Sequence, residues 1–392
     1  MHRLMLATAA LGFALAPAAI GIDDGDGAAG VSGGGNGREG RAERPLVPER
    51  TTAYRAKKLV LGDGRVIDDG VVLVEEGVIR RAGSGLEIPA GAGVVEHDGT
   101  LSPGLIALHS YEGGGADLFD ATRAVMETAD VSLAFDPASG DFARALASGV
   151  TAIVLAPTPA SLCPGTTAVV KTAGGTVVKK DAQLALGLGA AALKPNEFPT
   201  GYAAALAELE GRFADPKGNF GKAASGNLPV LIQAGTRHEI QRALAFARRF
   251  QLRGALLGST WAEDLVEAIE GSGLSVVCGP VDPGGDAREA RSIAALSKAG
   301  VRLGFALDAP ARHPDSLRFA VALAVRAGMD AGAGLKALTG DAAAIAGVAG
   351  RIGRIEPGLD ADLVLWSGDP ADLGSAVVAV YVDGKLVHGG TE

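Results

Sequence analysis

One histidine of this chain stands where an imidazole can do chemistry. His109 ends the apolar run Leu105, Ile106, Ala107, Leu108, directly after a Pro103-Gly104 turn. Continuous apolarity over so few residues fits a strand buried on both faces, as in a parallel sheet or barrel. A polar residue at the C-terminal end of such a strand sits where α/β barrels place their reacting groups. A second apolar run, residues 301–307, is followed by Asp308. In a closed barrel the first and last strands are neighbours, which would set His109 beside Asp308. A histidine–carboxylate pair can move protons near neutral pH, or it can simply be a buried imidazole satisfied by an acid. Other chemistries lack their motifs. Neither Gly113-Gly114-Gly115 nor Gly174-Gly175 has the spacing of a phosphate loop, and Ser259 and Ser275 have no nucleophile-elbow context.

The elements that must position these residues follow from composition and pattern. With 392 residues, 47% of them hydrophobic, the chain can bury a large core. Aromatics are 4% and glycines number 58, so close packing of small residues replaces bulky interdigitation. The net charge of −9, with no basic stripe, argues against nucleic acid as a partner. Cys163 and Cys278 are too far apart for a C-x-x-C site and read as buried thiols. Residues 1–18 have the order of an export signal: a basic start, an apolar run and a small-residue cleavage site. An exported protein, periplasmic or secreted, with no membrane span is expected. Residues 19–50, rich in Gly, Asp, Arg and Glu, read as a disordered tether.

Residues 51–100 carry short β-like runs punctuated by Asp-Gly and Glu-Gly pairs that favour tight hairpins. Residues 355–392 repeat the pattern, with Asp383-Gly384 as a turn. Neither piece covers both of its own faces, so the two are expected to pair into one composite β-sandwich. Between them, over 101–354, strand-sized runs at 105–108, 151–155, 167–170, 184–188, 229–233, 255–257, 274–278 and 301–307 alternate with helical patterns. That alternation predicts an α/β fold, a (β/α)8 TIM-type barrel.

The run L-S-P-G-L-I-A-L-H-S-Y over 101–111 resembles the first barrel strand of the metal-dependent amidohydrolase superfamily, where P-G-L-I-D-x-H-x-H supplies two histidine ligands. Here His109 keeps the first, Tyr111 stands at the second, and Ala107 replaces the acid. The segment I-E-P-G-L-D-A-D-L-V at 355–364, the V-D-G-K at 382–385 and Gly149-Val150-Thr151 are similar to further signatures of that superfamily, most like its imidazolonepropionase-like branch. The resemblance implies hydrolysis of C–N bonds by metal-bound water, with Asp308 as the catalytic acid and base and His109 and Asp308 as metal ligands.

The other ligand positions it implies are changed. Gln233 and Gly258 stand where histidines are expected, and Gln183 where a lysine often stands. Lys171, Glu112, Asp282, His238 and His313 are the polar residues that could complete a site. Two protein ligands do not hold a catalytic ion against water; three is usual. The expectation is an eroded centre with no metal or a weakly bound divalent ion, zinc if any, and a pocket of Tyr111, Gln233, Lys171, Gln183, His238 and His313. Such a protein would be a pseudoenzyme that binds a small molecule or a protein partner at the barrel mouth, the alternative being a working C–N hydrolase that uses Asp308 and His109. His97 is read as exposed.

Overall fold

The computed structural model describes residues 51–281, 284 and 287–390. The expected signal segment, the tether and Asp282 lie outside them.

The chain begins with four strands, β1 (Thr52–Val60), β2 (Val66–Glu75), β3 (Val78–Ser84) and β4 (Gly93–Pro103). After Gly104 come β5 (Leu105–Ser110), β6 (Val150–Leu155), β7 (Gly165–Thr166), β8 (Ala168–Lys171), β9 (Val177–Lys179) and β10 (Leu184–Gly187). Then follow β11 (Val230–Gln233), β12 (Gly254–Leu257), β13 (Ser275–Cys278) and β14 (Leu303–Phe305). The last three are β15 (Leu363–Trp366), β16 (Val377–Val382) and β17 (Lys385–Gly389). Helices α1 (Asp141–Ala147), α2 (Tyr202–Ala214), α3 (Gly218–Ala224), α4 (Arg237–Arg249), α5 (Val266–Glu270), α6 (Arg288–Lys298), α7 (Ser316–Arg326), α8 (Ala331–Leu338) and α9 (Gly340–Ile345) intervene. None of these helices is long and apolar enough to cross a membrane.

The two ends of the described chain meet in one seven-stranded sheet, ordered β17-β16-β15-β4-β1-β2-β3. The joint is the antiparallel β4–β15 ladder, Leu363 opposite Pro103 and Trp366 opposite Thr100. Trp366 is fully buried and donates its indole N–H to Ser102 Oγ at 2.8 Å. Its ring also lies against Gly149: a Cβ there would come within 2.8 Å of it, and Gly149 has φ +78°. Glycine is therefore required where β6 begins, which gives the Gly149-Val150-Thr151 signature a steric reason. His97 is half-buried rather than exposed, because its Nε2 lies 2.7 Å from the Trp366 carbonyl in the same joint.

The remaining strands form two sheets, β14-β13-β12-β11-β10-β7 and β5-β6-β8-β9. From β10 to β14 every neighbouring pair is parallel, as is β5 with β6. The segment 165–171 departs from the expected all-parallel pattern. β8 runs antiparallel to β6, and β7 antiparallel to β10. The physical reason is the link: the twelve residues between β6 and its partner β8 hold no helix, and a parallel crossover is usually made by one. At the other edge, the backbone N–H groups of Leu307 and Asp308 both donate to the His109 carbonyl, at 2.9 and 3.0 Å.

Alternate strand residues enter different clusters. Ile106, Leu108, Val154, Val169, Leu231 and Val277 pack together with Ile345 of α9. Leu105, Ile153, Leu186, Val230, Ile232 and Phe305 belong to the larger cluster shared with the helices. Strands buried on both faces explain the unbroken apolar runs of the sequence. Cys163 and Cys278 are buried and unpaired.

Candidate functional site

The site is built at the C-terminal ends of the parallel strands. His109 is 4% exposed near the end of β5, and its Nδ1 lies 2.7 Å from Asp308 Oδ1. Asp308 follows β14 with φ +54°, a left-handed conformation that an aspartate tolerates better than most residues. The paired bonds from Leu307 and Asp308 to the His109 carbonyl hold that geometry, and Tyr111 N–H donates to the Ala309 carbonyl at 2.8 Å. Tyr111 packs edge-on against the imidazole, ring centres 5.1 Å apart. Burial, and then the Asp308 charge, push the Tyr111 phenol above its ordinary range, so it stands as a neutral hydroxyl.

Gln233, last residue of β11, shares a small cleft with His109, and the loop prolines Pro157, Pro159 and Pro164 also line it. The cleft offers ≈ 10 Å³ to the centre of a water molecule, which is room for about one water. Gln233 Oε1 is buried there without a hydrogen-bond partner. Gly258, in register beside this end, has φ +122°, and a Cβ on it would meet the Ala234 carbonyl oxygen at 2.5 Å. The backbone at that position has no place for a histidine.

Behind the dyad, Glu112 is fully buried; Ser110 Oγ donates to its Oε2 at 3.0 Å while Oε1 has no partner. Burial pushes this carboxyl up to about 7, with the Asp141 charge adding to the shift and Ser110 and Arg144 opposing it. Chemically, the arrangement is a carboxylate-held imidazole beside a neutral phenol, able to hold or pass a proton over a space of about one water.

Four residues expected at the mouth lie elsewhere. Lys171 ends β8, and because that strand runs antiparallel it lies opposite Ala152, near the N-terminal end of β6. There it is sealed from solvent among Asp360, Asp362 and Asp383, at 2.8, 3.0 and 2.5 Å. Burial works against its charge, but Asp362 and the other two acids outweigh it and hold the ammonium above the usual lysine range. Gln183 precedes β10, at the opposite end from Gln233, and donates to the Ile345 carbonyl at 3.3 Å. His238 is exposed in the first turn of α4, 3.2 Å from Gln241. His313 is exposed beside Asp315. Among the described residues, no three His, Cys, Asp or Glu side chains converge as a metal would require. The described residues therefore supply too few ligands for a catalytic ion.

Two buried polar clusters escaped the sequence reading. The acids around Lys171 come from the D-A-D of residues 360–362 and from Asp383 in the closing turn. Acids at i and i+2 in an otherwise apolar segment were the available signal. The second cluster joins Glu289 of α6 to Ser259, both buried, beside Cys278. An acid in the first turn of an amphipathic helix gives no hint of it.

A family profile described as "Amidohydrolase family" matches residues 262–388. An amidohydrolase of known structure from Thermotoga maritima MSB8 is similar over 86% of this chain and 100% of its own, with 26% identity and a TM-score of 0.76. Together these likenesses support the amidohydrolase superfamily for this chain. Lower-identity structures share the fold: an A. niger ochratoxinase (18% identity, 87% of this chain and 96% of that one, TM-score 0.57) and a Xaa-Pro dipeptidase with bound methionine (16%, 86% and 100%, TM-score 0.53). The amidohydrolase tasK of Hapsidospora irregularis is 42% identical over 52 residues, which is 13% of this chain. The match spans 5% of that curated relative's length. In this chain His109 and Asp308 are in contact, while the surrounding positions hold Tyr111, Gln233 and Gly258.

Proposed function

We propose that this amidohydrolase-superfamily protein has lost its catalytic metal centre and works by binding a small molecule or a protein partner at the barrel mouth, without hydrolysis. In this reading the strands of the two smaller sheets, β9 apart, form one wall of eight members, a (β/α)8-type barrel with 165–171 (β7 and β8) as an antiparallel third member. The observation that carries the proposal is the ligand shortage: His109 is tied to Asp308, and among the described residues no third metal-binding side chain reaches them. The backbone at Gly258 supports it, since restoring a side chain there needs a different local fold. A small molecule entering the cleft has to displace the proline-lined loop or bind over the half-buried Asp308 at its rim.

A C–N hydrolase working through Asp308 and His109 is the competing reading, favoured by their 2.7 Å contact. The test is turnover of N-acyl amino acids, dipeptides and lactams by wild type and Asp308→Asn, with and without added zinc. The proposal expects no turnover above that of the variant in either condition. Hydrolysis by wild type that Asp308→Asn abolishes overturns it in favour of the enzyme.

A further inference from the structure

A larger hollow than the mouth cleft lies at the other end of the strands. Against ≈ 10 Å³ at the mouth, the N-terminal ends of β11 to β14 border a cavity of ≈ 470 Å³, with α9 on one side. That volume is in the range of small-molecule sites. Arg253 and Arg302 both line it, and none of its lining residues is acidic.

Both arginines are fixed at their backbones. Each immediately precedes a parallel strand, and the ladder holds its carbonyl: Val230 N–H donates to Arg253 at 2.8 Å and Val276 N–H to Arg302 at 2.9 Å. Their strands, β12 and β14, flank β13 in the sheet order. Two inter-strand spacings and the register offset put their Cα atoms roughly 10–12 Å apart, a span that two guanidinium stems can close on one ligand. Arg253 is exposed and has neither an ion pair nor a side-chain hydrogen bond among the described residues. Arg302 has a long contact to Asp341, 3.6 Å, and Asp341 also faces Lys336 at 3.4 Å. Arg302 borders a second hollow of ≈ 220 Å³ that Lys336 lines as well. A chain of net charge −9 thus gathers three cations around adjoining hollows with one carboxylate between them. Planar guanidinium forks match multivalent oxyanions, to which they donate paired hydrogen bonds.

We propose that the cavity at the N-terminal strand ends binds a small multivalent oxyanion, a phosphate ester or a polycarboxylate, between Arg253 and Arg302. The site is independent of the mouth and of whether the mouth hydrolyses anything.

Calorimetric titration of the full chain with pyrophosphate and, separately, with citrate tests it. The variants are Arg253→Gln and Arg302→Gln, with Arg55→Gln, on the seven-stranded sheet, as an equal change of charge elsewhere. Saturable binding of at least one probe is expected, weakened tenfold or more by Arg253→Gln and unchanged by Arg55→Gln. Preference for pyrophosphate assigns the site to phosphoryl ligands, and preference for citrate to carboxylates. Because Arg253 has no side-chain partner to lose among the described residues, its variant is expected to melt like wild type, which keeps the comparison free of unfolding. No saturable binding of either probe overturns the proposal. So does affinity untouched by Arg253→Gln, or lowered equally by Arg55→Gln.

Discussion

Replacing Lys171 by Met removes the cation at the centre of the structure's most buried ionic cluster. Lys171 is 0% exposed and Asp362 4%, and Asp362 Oδ2 already lacks a partner. Taking away one member of a buried ion pair leaves an uncompensated charge and costs about 3–5 kcal/mol. Asp360 keeps Arg351 at 2.9 Å, so most of the loss falls on Asp362. Even with Lys171 present, burial raises the Asp362 carboxyl to about 6. That value is above the unfolded range, so Asp362 favours the folded state most when protonated, and its contribution falls as pH rises between about 4 and 6. The variant can therefore relieve its stranded charge by taking up a proton, and its deficit should shrink in mild acid. For a folded unit of about 340 residues, 3–5 kcal/mol corresponds to a drop in melting temperature of about 4–7 °C. Calorimetric melts at pH 8 and pH 5 read this directly, with Lys57→Met as the control because Lys57 and Asp98 form an exposed pair. The control should change stability by less than about 1 kcal/mol. A Lys171→Met loss of that same small size, or one equal at both pH values, would refute the reasoning.

Three further outcomes are expected. Glu112→Gln should match wild type near pH 4 and exceed it by roughly 2–3 kcal/mol at pH 8, because the wild-type carboxyl, raised by burial to about 7, loses folded-state stability as pH climbs from 4.5; urea melts across pH that run parallel would contradict this. Gly258→Ala should lower the urea midpoint by the equivalent of about 1–3 kcal/mol, whereas Gly140→Ala, where φ is −61° and a Cβ meets nothing within 4 Å, should stay within about 1 kcal/mol of wild type. Deleting residues 370–392 removes β16 and β17 and should raise binding of an apolar dye as the buried face of β15 is uncovered; unchanged dye binding would show that the sheet does not need them.

Much of the scaffold was legible because its signals are local. Unbroken apolar runs marked the strands buried on both faces, and Asp383-Gly384 marked the β16–β17 turn. The direction of residues 165–171 was not legible from their apolarity, which is the same for either orientation; the missing helix before them was the cue. α8 and α9, rich in alanine and glycine, gave too little contrast between apolar and polar positions to be found. At the site, His109 and Asp308 were readable from the ends of their strands. Lys171 and Gln183 were not placed correctly, since one reversed strand and one residue's distance from a strand start moved both to the far end. His238 and His313 followed polar turns on the mouth side, but solvent and local partners satisfy them.

The central claim is that no catalytic ion is held at His109 and Asp308. Elemental analysis of the protein, purified without added metal and dialysed, measures it most directly. The account predicts zinc and other divalent transition metals well below one ion per chain, unchanged in Asp308→Asn. About one tightly held ion per chain, lost in Asp308→Asn or His109→Ala, would contradict it.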